Sequence, residues 1–280
     1  MAIILALISS ALFGAGDFLG GVASRRTHVL VVVGASHVVG LFLILLVTPF
    51  MADTITLRDL GIGGIAGIAG VVGITFLYHS LSRGPMAVVA PIAAVSNAAV
   101  PALWGIYSGD RLSGPQLVGV VLGLAAILLV SRVSGEETST GTTTPSLVGA
   151  ALLSGVGFGG FFICMDLTAE ATTPWPLVSA RVVSAGIALL LLARMGRSPI
   201  PRRDEARGAI VGAGILDMTA NLAILIAVHH GMLSLVAVLG SLYPASTVLL
   251  ARYVLQERMA RTQVVGLVVA LAAIGAIVGG

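Results

Sequence analysis

Apolar residues fall in runs of about twenty, separated by short clusters of turn-forming and charged residues. The runs cover about 2–23, 29–48, 59–82, 86–107, 115–132, 147–167, 175–194, 208–229, 232–254 and 261–279. A helix needs about 20 predominantly apolar residues to cross the hydrocarbon layer, so the pattern predicts ten membrane-spanning helices. The connections are short except for "VSGEETSTGTTTPS" at 133–146 and "MGRSPIPRRDEAR" at 195–207. The first has the composition of a flexible linker and falls near the middle of the chain.

That position suggests a duplication, and the two halves are similar. "GDRLSGPQLVGVVLGLAAI" at 109–127 lies over "QERMARTQVVGLVVALAAI" at 256–274, with Asp110 on Glu257, Gln116 on Gln263 and Gly119 on Gly266. "FG" at 13–14 recurs at 158–159, and "ASHVVG" at 35–40 answers "SARVVS" at 179–184. Each half is then a repeat of five spans. Because five is odd, the second repeat enters the bilayer from the opposite side. The expected fold is an all-α integral membrane protein of ten transmembrane helices. It divides into a first repeat at 1–132, a polar linker at 133–146 and a second, inverted repeat at 147–280.

Arginine placement adds an orientation. Connections 1–2, 3–4, 5–6, 7–8 and 9–10 carry most of the arginines, from Arg25 and Arg26 to Arg258 and Arg261, while the alternate connections hold only Arg58 and Arg111. Positive-inside logic places the arginine-rich connections in the cytoplasm and both termini outside.

Composition narrows the class. The 280 residues are 57% hydrophobic and 10% charged, with mean hydropathy +1.07, against about 25% charged in ordinary globular chains; lipid is the natural solvent for most of such a surface. A net charge of +3, carried by scattered arginines, gives no basic patch for nucleic acid. The lone Cys164 excludes an intramolecular disulfide and a Cys-based metal cluster. "MAIILALISSALFGAG" lacks the basic start of a secretory signal and reads as the first span.

Residues 61–73, "GIGGIAGIAGVVG", match the opening of a dinucleotide-binding loop but are followed by neither the acid nor the strand punctuation it requires. On a helix, Gly63, Gly67 and Gly70 instead lie within about 60° of one another. A bare stripe of this kind lets a neighbouring membrane helix approach backbone to backbone.

Charge at mid-bilayer costs about 2.5–3.5 kcal/mol, so ionisable groups within spans are the candidates for function. Asp217 lies near the middle of span 8 with Asn221 one turn later on the same face, suited to a proton, a cation or the polar end of a solute. Asp17, in span 1, is either a second such group or a rim residue reaching toward Arg25 and Arg26. Arg181 is a counter-ion for one aspartate or a captor of an anionic solute; its repeat equivalent is His37. His79, with Tyr78, and His229-His230 lie toward span ends. Pro91 and Pro101 in span 4, and Pro244 in span 9, are expected to break their helices where each half lines a pocket. Tyr243 and Trp104 either line the path or, for Trp104, anchor at the interface. No spacing supports a metal site and no Walker loop points to ATP, so no cofactor is expected. Ser36 and His37 are adjacent on one helix and do not face each other, which leaves no hydrolytic arrangement.

"ERMARTQVVGLVVALAAIGAIVG", preceded by "SLYPASTVLL", resembles the end of an EamA-type repeat of the drug/metabolite transporter superfamily, and 86–130 is a weaker copy. The resemblance implies a secondary transporter, not an enzyme, working by alternating access in a cell (inner) membrane. Its cargo would be an amino acid, another metabolite or a drug, with protons as the candidate coupling ion and a monomer or homodimer as the unit. It also implies cytoplasmic termini, opposite to the arginine placement, and often has Glu where this chain has Asp110. A channel or a non-transporting membrane scaffold is the alternative reading.

Overall fold

A computed structural model describes the chain except residues 25, 84–85, 131–144, 202–206 and 255–260, and describes backbone but not side chains at 78–83, 86–92, 130, 147, 247–248 and 251–254. The described residues form α1 (Ala2–Ser24), α2 (Val29–Met51), α3 (Leu57–Arg83), α4 (Met86–Ser108), α5 (Gly114–Val130), α6 (Pro145–Asp166), a 3₁₀ turn (Glu170–Thr172), α7 (Trp175–Arg194), α8 (Arg207–His229), α9 (Leu233–Gly240), α10 (Tyr243–Val254) and α11 (Arg261–Gly279). Helices satisfy their backbone groups internally, as hydrocarbon requires. Seven of them are long and apolar enough to cross a bilayer, and α5 and the α9–α10 segment are shorter apolar helices. Large apolar side chains such as Phe42, Phe50, Leu57 and Leu271 point outward, as in a bundle solvated by lipid.

The expected ninth span is two helices. Ser241 and Leu242 separate α9 from α10, and Pro244 is the second residue of α10. Proline has no N–H to bond four residues back and its ring crowds that carbonyl, so the helix parts just before it. The expected break in the first half is absent: α4 runs unbroken through positions 91 and 101. A membrane helix held on several sides can carry proline without separating.

The helix contacts repeat between halves. The pairs α1 with α8, α2 with α8, and α1 with α9 and α10 have as their counterparts α6 with α3, α7 with α3, and α6 with α4. The pairs α2–α7, α5–α11 and α4–α9 map onto themselves. Glycines set the approach of these pairs. A Cβ at Gly63 would stand 2.8 Å from Pro176 Cα, one at Gly67 2.9 Å from Ala180 Cα, and one at Gly157 2.8 Å from Gly73 N. The bare stripe of α3 is therefore in backbone contact with α7 and α6. Gly214 of α8 meets Ser36 of α2 in the same way, its Cβ position 3.1 Å from Ser36 Cα.

The bundle has two distinct ends. At the terminal end, the N-terminus and residues 52–56, 109–113, 167–174 and 230–232 gather: Ala2 lies against Gly231, and Gly280 against Ser113. The opposite end, the arginine end, carries Arg26, Arg194, Arg197, Arg207 and Arg261 among the described residues.

Candidate functional site

Four helices converge on one ion pair. Arg181 sits two turns into α7, whose first turn holds Pro176, and its side chain points into the bundle with 8% exposure. There its Nη2 donates to Asp217 Oδ2 on α8, and its Nε donates to Met218 Sδ at 3.4 Å. Asn221, one turn after Asp217, donates from Nδ2 to Asp217 Oδ1 at 3.2 Å and to its carbonyl at 2.7 Å. Glycines make room for the neighbours: a Cβ at Gly40 of α2 would lie 3.6 Å from Arg181 Nε, and one at Gly16 of α1 3.4 Å from Asp217 N.

The pair borders a cavity of about 80 Å³ lined by His37, Arg181, Ser184, Asp217, Asn221 and the rings of Phe13, Phe158, Phe161 and Phe162. That volume holds several waters or the head of a small solute, below the roughly 300–1,000 Å³ of drug-sized pockets. The lining comes in matched pairs from the two halves. Phe13 answers Phe158 and His37 answers Arg181 in the sequence repeat. The shared Gly67–Ala180 and Gly214–Ser36 contacts carry the same register into α3 and α8, where Gly70 answers Asp217 and Ile74 answers Asn221. The cavity thus lies where the halves meet, yet its two walls differ. The second half supplies an acid and an amide where the first has a bare backbone and an aliphatic chain. Among the described residues, His37 consequently lacks the carboxylate that its counterpart Arg181 has, and its Nδ1 is buried with no partner.

Asp17 of α1 belongs to the same cluster rather than to the rim. The preceding Gly16 packs against the Asp217 backbone, and α1 also packs against α10, which opens at Tyr243. Burying charges is expensive unless they are paired and hydrogen-bonded, and this cluster spends one arginine and one amide on Asp217. The arrangement can exchange a proton, bind a polar headgroup, and place apolar substituents against phenyl rings.

The remaining sequence candidates fall elsewhere. Trp104 is 37% exposed on α4, tilted against Tyr107 at 5.9 Å; an outward indole suits an anchor at the interface, not the path. The side chains of Tyr78, His79 and Pro91 lie outside the described residues. At the terminal end, His229 bonds to Thr168 Oγ1 at 3.2 Å and to Thr173 Oγ1 at 3.3 Å, and His230 pairs with Glu170 at 3.3 Å. Glu170, Thr173, His229 and His230 line a separate open hollow of about 500 Å³. No group of three or more His, Cys, Asp or Glu placed to hold a metal occurs among the described residues. Sequence reasoning missed the phenyl rings, although the repeated "FG" at 13–14 and 158–159 marks the position of two of them. It also missed Ser184, whose repeat partner is Gly40.

Comparison with known proteins agrees with this architecture. No curated protein matches the chain. A protein crystal structure superimposes on 98% of this chain and 95% of its own with a TM-score of 0.76 at 14% identity, a likeness that shows the fold alone. The EamA-like transporter family matches twice, over residues 1–132 and again over 146–279. The chain therefore belongs to the EamA-like transporter family of the drug/metabolite transporter superfamily and is a multi-pass membrane protein of transport type.

Proposed function

We propose that the protein is a secondary transporter of a small metabolite in the cell (inner) membrane, working by alternating access between two inverted repeats of five spans. The carrying observation is the cavity itself: a buried Arg181–Asp217 pair with Asn221 in a hollow lined by equivalent positions of both halves. Sites of secondary transporters are expected near the bilayer midplane at a repeat interface, with a discontinuous helix close by; here α1, which carries Asp17, packs against both pieces of the parted helix, α9 and α10. In this reading the polar end of the solute exchanges partners with Arg181, Asp217 and Asn221. The phenyl rings hold its apolar part, and Asp17 or Asp217 carries the coupling proton.

A metabolite-wide thermal-shift screen on the purified protein would name a solute, followed by uptake into proteoliposomes with an imposed pH gradient. Asp217→Asn is expected to bind that solute at least tenfold more weakly and to lose the response to the gradient. An Asp217→Asn protein with unchanged affinity and full response would remove the pair from the site.

A further inference from the structure

A group of hydrogen bonds joins the two halves at the terminal end. Asp59, at the start of α3 and 1% exposed, accepts from Ala169 N at 3.0 Å and from Thr172 Oγ1 at 2.8 Å, both in the connection between α6 and α7. Arg58 Nη2 donates to Leu167 O at 3.1 Å, and Thr54 N donates to Ala171 O at 3.1 Å. Asp110 makes a second link. Its Oδ2 accepts from Ser234 N at 2.9 Å and from Ser234 Oγ at 2.7 Å, in the first turn of α9. A carboxylate on the N–H groups of a helix N-terminus is held by charge as well as by hydrogen bonds.

Local structure is built to deliver Asp110 there. α4 ends at Ser108, the φ of +122° at the following Gly109 reverses the chain, and Asp110 N bonds back to Gly105 O at 2.9 Å. A Cβ at Gly105 would stand 2.6 Å from Ser234 Oγ, so the glycine leaves space for the contact.

We infer that Asp59 and Asp110 are paired latches that hold the terminal-end entrance closed, and that both must release before that entrance opens. This rests on the alternating-access reading above and assigns its gate. Each latch sets an acid of one half against backbone N–H groups of the other, so separation of the halves frees both sets of groups to water. The closed state is thereby favoured by contacts that the open state replaces with hydration, which makes it reversible at modest cost.

The test is a pair of distance measurements by double electron–electron resonance on the full chain in lipid nanodiscs, in a Cys164→Ala background. Labels at Ser108 and Ala171 span the terminal end, and labels at Arg26 and Arg197 span the arginine end. Asp59→Asn with Asp110→Asn is expected to raise the long-distance population at the terminal end about tenfold and to shorten the distance at the arginine end. Ser234→Ala, which removes one arm and no charge, is expected to shift the same populations in the same direction by a smaller factor. Unchanged distances in a folded Ser234→Ala protein and in the double variant would overturn the latches, whatever happens to melting temperature. Transport by proteoliposomes separates the two readings. Solute movement with unmoved distances defeats the latches alone, whereas shifted distances with no solute movement by the unaltered protein defeat the transport reading and leave the latches standing.

Discussion

Arg181 and Asp217 show how strongly a single side chain depends on its partner in this interior. Arg181 is 8% exposed at its side chain, while Asp217 is 37% exposed toward the cavity. Removing the acid leaves a buried guanidinium whose remaining partner is a thioether. Asp217→Asn is therefore expected to cost about 1.5–3 kcal/mol, the range for a hydrogen bond to a charged group. Thermal unfolding in detergent reads this loss independently of solute binding. His28, in the connection before α2, offers a second residue-scale prediction. Its Nδ1 accepts from Leu30 N at 3.3 Å and caps the helix. Burial and, secondarily, the nearby Arg197 charge hold its pKa below the usual 6.5. The unfolded chain thus binds more protons than the folded one just below that value. The His28 contribution is complete above pH 6.5 and is lost as pH falls toward the lower folded pKa. His28→Asn, a cap that does not titrate, is expected to flatten the decline in melting temperature between pH 7 and pH 5.

At the scale of the element, α3 is governed by which of its glycines touch a neighbour. A Cβ at Gly67 meets the Ala180 backbone, whereas one at Gly61 meets nothing within 4 Å. Backbone cannot move aside as a side chain can, so Gly67→Ala is expected to destabilise by about 1–3 kcal/mol through overpacking. Gly67→Leu is expected to abolish both folded protein and transport. Gly61→Ala should be neutral or stabilising by up to about 1 kcal/mol, because alanine is the better helix former. Chemical denaturation of the two alanine variants side by side checks the contrast. Gly70→Ala belongs with the tolerated class, since its added methyl reaches Phe161 at an ordinary 3.6 Å. Gly70→Asp, by contrast, would place a carboxylate opposite His37, mirroring Asp217 opposite Arg181, and is expected to block the cavity.

For the molecule as a whole, the arginines and the architecture combine into one topological expectation. Both termini lie at one end, with Ala2 against Gly231 and Gly280 against Ser113, and among the described residues Arg26, Arg194, Arg197, Arg207 and Arg261 lie toward the other. The membrane potential and the anionic cytoplasmic leaflet favour arginine inside. Alkaline phosphatase fused after Gly280 should be active outside the membrane, and green fluorescent protein there should be dark. The reverse result would invert the bundle, placing the latched end in the cytoplasm without changing any contact.

The sequence by itself determined the helical membrane fold, the position of most spans and the duplication, because each is written in runs of about twenty apolar residues and in repeated local words. It also singled out Asp17, Arg181, Asp217 and Asn221, since an ionisable group in an apolar run is conspicuous whatever surrounds it. Helix spacing alone placed Asn221 beside Asp217, one turn apart. Only the tertiary structure decided that Arg181 reaches Asp217 rather than Asp17, that four phenyl rings close the cavity, and that Trp104 faces outward. Phenylalanine in an apolar run carries no mark of the side it faces, and helix rotation is fixed by glycine contacts with helices distant in the chain. The prolines make the same point. Pro244 coincides with a parted helix and Pro101 lies within a continuous one, because the outcome depends on which neighbours hold the backbone in place and not on the proline alone.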